Sequence, residues 1–261
     1  MADALFAPDG EGFAATELTR GPWDPGSQHA GPPSALLARA VERAGRLEGR
    51  VARITVEILR PVPIGRLEVR AEVVRPGRRV ELVEAALADE QGDLMLARAW
   101  RIRTQAVELS PPPPAPDRVP GPEQAGREEF FPTGADTGFH TANELRFAHG
   151  AWREPGPARA WVRLLVPLVQ GEQPSPLARV LAAADFGNGI SATLDFARFV
   201  FINADLSVAL LREPVTDWVC LDSITYPLGD GIGLTDTALF DEQGRIGRAT
   251  QSLLVAPRPD A

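Results

Sequence analysis

The side chains that do chemistry most readily are few here: one cysteine, Cys220, and three histidines, His29, His140 and His149. A cysteine attacks as its thiolate, but Cys220 sits in the apolar run Trp218-Val219-Cys220-Leu221 and reads as a buried, inert thiol. Alone, it cannot close a disulfide within the chain. The histidines lie far apart in none of the spacings a zinc site uses, and one cysteine adds little, so no metal is expected. Asp185-Phe186-Gly187 spells a kinase metal-binding tripeptide, yet neither a glycine-rich loop nor a His-Arg-Asp segment accompanies it, and it is read as chance. Gly229, Gly231 and Gly233 precede a strand rather than a helix and read as a flexible hairpin, not a phosphate loop.

The totals narrow the field. With 261 residues, 44% of them hydrophobic, the chain can bury one large core or two ordinary ones. Its net charge of -8 argues against a sequence-independent grip on nucleic acid. No apolar run approaches the roughly 18 residues that a membrane span needs, and the first 30 residues show neither a basic start nor an apolar signal core. A soluble, cytoplasmic protein without membrane contact is the expectation. All 27 basic residues are arginine, which fits a GC-rich codon bias.

The elements that must position any site come from an internal repeat. Shifted by 152 positions, residues 54–102 lie over 206–254 without a gap, and Val56/Val208, Leu59/Leu211, Arg60/Arg212, Leu87/Leu239, Asp89/Asp241, Gln91/Gln243 and Gly92/Gly244 are among the identical pairs. A helix-like run precedes each copy, around Ser34–Arg39 and Ser175–Arg179, so the chain holds two versions of one helix-plus-sheet unit. Residues 1–30 read as an irregular lead-in with turn signals at 21–26, and Ser34 as the N-cap of a helix of about twelve residues. Alternating apolar residues then predict an antiparallel meander over 51–60, 66–74, 79–88 and 94–104. The second unit has strands near 144–149 and 158–166, a helix over 175–185, and strands near 198–203, 206–212, 217–227, 232–240 and 246–255. A helix packed on an antiparallel sheet is an α+β arrangement. The proline-dense stretch joins an N-terminal domain, 1–108, to a C-terminal domain, 127–261, through a semi-rigid linker over 109–126. A ligand for a proline-recognising module is its functional alternative.

A helix wrapped by an antiparallel sheet and repeated once in the chain resembles the double hotdog fold. The C-terminal half, with Trp218 leading a strand, the Asp241-Glu242-Gln243-Gly244 hairpin and the closing Ala249-Thr250-Gln251, resembles the acyl-CoA thioesterase II family. The resemblance implies hydrolysis of acyl-CoA thioesters by an Asp near the end of the helix, a Thr or Ser on the following strand and a Gln on the last strand. Asp185 falls on the first of these positions, Asn203 stands where the family has a hydroxyl, and Gln251 falls on the third. Asp185 would then serve as base or fix the attacking water, while the two amides hold that water in one orientation. A backbone N–H at a helix start would receive the oxyanion. The repeat offers an independent check: Gln251 lies over Ala99 and Asn203 over Val51, while the helices, offset by about 140, put Asp185 over Gly45. The scaffold itself does not require these polar residues, so the first unit is expected to keep the fold and the second the site.

Plainer readings stand beside these: Asp185 as a solvated surface carboxylate, Gln251 as an outward strand residue, Asn203 as a turn former before Asp205. His29, beside the helix start, reads as a partly exposed loop residue or as a contact for a ligand's phosphate or pantetheine. Arg146, Arg153 and Arg163 read as strand-surface residues or as partners for CoA phosphates. Two rival functions keep the same fold. A catalytically silent acyl-binding module is motivated by Asn203. An enoyl-CoA hydratase-like enzyme would carry Asp-x-Asn-Pro-x-His, whereas Asp185 is followed by Phe-Gly-Asn-Gly-Ile-Ser without a histidine. No cofactor is implied, the partner is a small-molecule acyl-CoA, and assembly into a homo-oligomer is an expectation from the fold.

Overall fold

A computed structural model describes residues 3–111, 114–115, 117–128, 130 and 135–258. The first half holds β1 (Phe6–Asp9), β2 (Gly12–Ala15), α1 (Gly31–Ala44), β3 (Gly49–Ile58), β4 (Arg66–Arg75), β5 (Val80–Asp89) and β6 (Gly92–Arg103). The second holds β7 (Gly126–Arg127), β8 (Asn143–Ala151), β9 (Glu154–Leu164), α2 (Pro176–Ala184), α3 (Gly187–Ile190), β10 (Phe199–Asn203), β11 (Asp205–Leu210), β12 (Trp218–Pro227), β13 (Ile232–Asp241) and β14 (Gly244–Pro257). Among the described residues no helix is long and apolar enough to cross a membrane.

Period-two burial builds the strands. In β14, Ile246, Ala249, Gln251 and Leu253 face the core while Arg248, Ser252 and Leu254 face out. The strands join into one sheet ordered β1-β2-β4-β5-β6-β3-β11-β14-β13-β12-β9-β8-β7, with β10 pairing β14. Its midpoint is the antiparallel pair β3–β11. There Thr55 faces Ser207, its counterpart under the 152-residue shift, and their hydroxyls lie 3.0 Å apart. On either side Ile54 faces Val208 and Val56 faces Leu206, so the repeat is folded as a pseudo-two-fold. The same symmetry repeats a clasp across each unit's hairpin. Arg60 donates to Asp89 (2.8 Å) and to the Gly92 carbonyl, as Arg212 does to Asp241 (2.6 Å) and to the Gly244 carbonyl.

Helices α1 and α2 lie antiparallel on one face of the sheet. Ser175 caps α2 by accepting from Ala178 N–H and donates to Glu42 near the end of α1. At the other end, Gly31 packs so closely on α2 that a Cβ there would lie 2.7 Å from the Ala182 carbonyl. Leu36, Leu37 and Val41 of α1, Leu177, Val180 and Leu181 of α2, and inward residues of both half-sheets form one core. The proline-dense stretch is not a free connector at its far end. The Trp161 indole donates to the Pro120 carbonyl, and Val119 and Ala125 cover a separate outer cluster of Trp161, Trp218, Cys220 and Phe240. Burial pushes the Cys220 thiol up, away from the reactive thiolate.

Two local expectations are corrected. Helix α1 begins at Gly31 rather than after Ser34, because Pro32 and Pro33 fall in the first turn, where a missing N–H costs nothing; Ser34 lies inside the helix, fully buried. The lead-in is not wholly irregular either. β1 and β2 form a hairpin turning at Gly10 (φ +62°), and β2 pairs β4, but four-residue strands are too short to show a period.

Candidate active site

The sequence of α2 ends in Ala182-Ala183-Ala184, small residues that let the helix C-terminus lie flush in the core and deliver Asp185 as the C-cap, 4% exposed. The chain turns at once into α3. Gly187 makes that possible, since a Cβ there would stand 2.7 Å from Thr237 Oγ1 and 3.0 Å from Gln251 Oε1. Asn203, the last residue of β10, donates from Nδ2 to Asp185 Oδ1 at 2.9 Å and to the Asp205 carbonyl at 3.3 Å. Gln251, 1% exposed on the inner face of β14, donates from Nε2 to the same Oδ1 at 3.2 Å. Its Oε1 accepts the Asn188 N–H at 3.2 Å, which fixes which way the amide points. The three residues singled out in the sequence therefore meet at one carboxylate. Asp185 is not a surface residue and Gln251 is not outward; Asn203 is bonded both to Asp185 and, as a turn former would be, to Asp205.

The sequence reading missed a fourth member. His29 comes from the first unit, just ahead of α1, and its Nδ1 lies 2.8 Å from Asp185 Oδ2. As the plainer reading had it, it is a partly exposed loop residue, its side chain 14% accessible, and its ring packs against the stacked pair of Phe139 and Phe186, at 4.9 and 4.8 Å between centroids. The Asn143 amide holds the Phe139 carbonyl at 2.7 Å and so steadies one wall. The signal was the repeat itself. Antiparallel helices related by a pseudo-two-fold put the start of one beside the end of the other, so a polar residue just before α1 is a neighbour of the residue just after α2.

Beneath the cluster lies a fully hydrogen-bonded ladder of buried hydroxyls. Ser223 bonds Thr237 (2.9 Å), Thr225 bonds both Thr235 (2.8 Å) and Ser191 (2.7 Å), and Ser191 donates to the Gly187 carbonyl (2.8 Å). It ties α3 to β12 and β13 and leaves Gln251 and Asn188 little freedom. His140 stands nearby, and burial, together with the nearby His29, pushes its pKa down.

A cavity of about 500 Å³ opens beside the cluster, walled by Trp23, Trp152, Phe186, Phe196 and Phe201, with His29, Asn188, Arg153, Thr193 and Asp195 among its polar points. That is the size and character of a small-molecule site. Asp185, Asn203 and Gln251 are not part of its wall; His29 is. A concavity of similar size, about 510 Å³, lies on the outer face of β4–β6 among Arg70, Glu72, Glu84 and Arg98, remote from these residues and without aromatic walls. Arg153 lines the first cavity, whereas Arg146 and Arg163 pair with Glu144 and lie over the Trp218 ring at 4.9 and 4.7 Å, so those two are structural.

Among its described residues the first unit has no such cluster. The connection from α1 to β3 is only Gly45–Glu48, against Asp185–Arg198 in the second unit. The Glu81 carboxylate accepts Arg46 and Leu47 N–H at 3.0 Å each, and Arg101 donates to the Leu47 and Gly49 carbonyls at 3.0 Å. A Cβ on Gly45 would overlap the Arg101 guanidinium. The residues absent from that short connection are those that, in the second unit, form α3 and part of the cavity wall.

Two family models match the chain, one described as the acyl-CoA thioesterase N-terminal domain over residues 19–102, the other as the acyl-CoA thioesterase C-terminal domain over 110–255. Among solved structures, a thioesterase II candidate from Thermobifida fusca is 18% identical, with 97% of this chain and 96% of that one covered and a TM-score of 0.75. A hot dog fold protein from Alicyclobacillus acidocaldarius is 16% identical over 98% and 97%, with a TM-score of 0.74. The acyl-CoA thioesterase II TesB2 from Mycobacterium marinum is 14% identical over 89% and 92%, with a TM-score of 0.66. At these identities the likeness establishes the hot dog fold. No curated protein matches the chain.

Proposed function

The chain belongs to the acyl-CoA thioesterase family, and from that premise we propose that it releases free CoA and a carboxylic acid by attack of a water oriented by the Asp185, Asn203 and Gln251 cluster. The observation that carries this reading is the convergence of both amides on one buried carboxylate oxygen beside an aromatic cavity. A thioester carbonyl is already activated, so the site has to supply an ordered water, a proton acceptor and a donor for the oxyanion. Asn203 does for Asp185 what a hydroxyl would do at its position, since its amide donates to the same oxygen. The Asn188 N–H is engaged by Gln251 and so is not the oxyanion donor in this arrangement.

We read the architecture as a double hotdog. An N-terminal unit, 1–108, carries a closed, degenerate site; a connector, 109–126, follows; and a C-terminal unit, 127–261, carries the acidic cluster. The repeated Arg–Asp clasps and the Thr55–Ser207 midpoint support this division.

Release of free thiol from a panel of acyl-CoAs, short, long and aromatic, tests the function. Asp185→Ala and Gln251→Ala should each lower kcat/KM by about 10²-fold or more while the protein stays folded. A wild type inert across the panel refutes the hydrolase, and saturable acyl-CoA binding in that inert protein would make it a binding module.

A further inference from the structure

We propose that His29 is the general base of the hydrolysis, with Asp185, Asn203 and Gln251 acting through it as positioning residues. The inference rests on the thioesterase reading above and assigns the proton transfer within the same site.

The hydrogen bonds around Asp185 leave it poorly placed to take a proton itself. Its Oδ1 already accepts from Asn203 and Gln251, its Oδ2 faces His29, and its side chain is only 3% accessible. A carboxylate oxygen can only accept, so the 2.8 Å contact puts the imidazole proton on Nδ1. The Gly31 N–H, 3.2 Å from that nitrogen, is then a near neighbour rather than a donor to it. Nε2 is left with a bare lone pair. It makes no hydrogen bond to any described residue, and it is not among the buried unpartnered polar atoms, so it is open to the cavity that His29 lines. A buried carboxylate fixing the tautomer and tilt of an imidazole whose other nitrogen meets the substrate is the arrangement that serine hydrolases use to make histidine a base. The stacked rings of Phe139 and Phe186, 5.1 Å apart, pack against the imidazole and limit its swing.

The step balances without any further reagent. As the water oxygen forms its bond to the thioester carbon, one water proton passes to Nε2 and the carbonyl π pair moves onto oxygen. Collapse of the tetrahedral oxyanion breaks the C–S bond, and the departing sulfur takes the bonding pair and the Nε2 proton. The products are the carboxylic acid and the free thiol, and His29 returns to its neutral tautomer.

The test is the pH profile of kcat and kcat/KM in wild type, His29→Gln and His29→Asn. The titratable groups facing His29 are Asp185 and His140, and Arg153 and Asp195 line the same cavity. Wild type should lose activity on an acidic limb, because protonation takes the Nε2 lone pair that a histidine base uses. Both variants should drop about 10²–10⁴-fold in kcat at neutral pH, lose that limb, and bind a non-hydrolysable acyl-CoA thioether within about threefold of wild type. A purely structural role for His29 would lower activity without removing the limb. If one variant fails to fold, the other and the wild-type profile still decide. The inference is overturned if wild type lacks the limb, or if a folded variant retains it or stays within about threefold of wild-type kcat. A wild type that releases no thiol from any acyl-CoA instead brings down the thioesterase reading, and the base with it.

Discussion

Replacing Gln251 by Glu exchanges one amide for one carboxylate of nearly the same shape and leaves the Asn188 N–H with an acceptor. What changes is the partner of Asp185, because an atom that donated at 3.2 Å becomes an acid that must either keep a proton or repel. Two unit charges at that distance repel by about 5 kcal/mol at an effective dielectric of 20, equivalent to nearly 4 pH units if all of it appeared as a shift. The site should therefore retain a proton that the unfolded chain, whose glutamates titrate near about 4.3, has already released. That proton belongs to the coupled group of Asp185, His29 and the introduced carboxyl and need not be assigned to one of them. The sign follows from proton counting. Above about pH 4.3 the native variant binds more protons than the unfolded one, so its stability falls as pH rises until the native site also lets go. Relative to wild type, urea unfolding of Gln251→Glu should show a deficit that is small near pH 4.5 and grows by up to about 1.4 kcal/mol per pH unit toward neutrality. A deficit independent of pH would mean that Gln251 does not face the Asp185 carboxylate, and the site geometry would be wrong.

Two further perturbations probe the supports of the site. Gly187→Ala puts a methyl 2.7 Å from Thr237 Oγ1 and 3.0 Å from Gln251 Oε1, so it should cost about 1–3 kcal/mol in urea unfolding and reduce CoA release more than that loss explains. Asp241→Asn should be most damaging at neutral pH. Burial alone would raise the Asp241 pKa, but the Arg212 guanidinium and the Val215 and Gln243 N–H groups outweigh it and hold the pKa below the usual range. A depressed native pKa stabilises above the unfolded value of about 3.9 and is lost as pH falls through the native one, so the gap between wild type and variant should narrow below about pH 4 in acid denaturation.

The long strands β4–β6 and β12–β14 were legible because each is ten residues or more with alternating apolar positions, and because the 152-residue repeat presented them twice. The meeting of Asp185, Asn203 and Gln251 came from resemblance; pattern alone left Gln251 open to an outward strand position and says nothing of its partner. His29 escaped because no local signal marks it. Its role depends on α1 and α2 running antiparallel, a tertiary relation that turns residues 29 and 185 into neighbours. The α1 boundary slipped because Ser34 looked like a cap while the tolerance of a first helical turn for Pro32-Pro33 was not weighed. The hydroxyl ladder under Gln251 was hidden for a related reason. Ser223, Thr225, Thr235 and Thr237 alternate with apolar residues as solvent-facing threonines commonly do, and only the packing of α3 over them turns that face inward.

The fused repeat also explains why the described residues form one such cluster rather than two. A pseudo-two-fold brings together a helix end with its acid and a helix start with its imidazole, and applied twice it would generate two equal sites. The first unit breaks the pairing at its own helix end. With Gly45 in place of an acid and a four-residue connection to β3, there is no chain left to form a counterpart of α3, and Arg101 and Glu81 occupy the space and satisfy the backbone there. A polar side chain at residue 51 or 99 would be buried opposite a plug whose one carboxylate, Glu81, is already held by the Arg46 and Leu47 N–H groups, which favours the Val51 and Ala99 found there, 4% and 0% exposed. The start of α1 matters all the same, because it brings His29 to Asp185. A half without such a cluster of its own can therefore still support the cluster of the other half, through His29 and through Gly31, which packs on the Ala182 carbonyl.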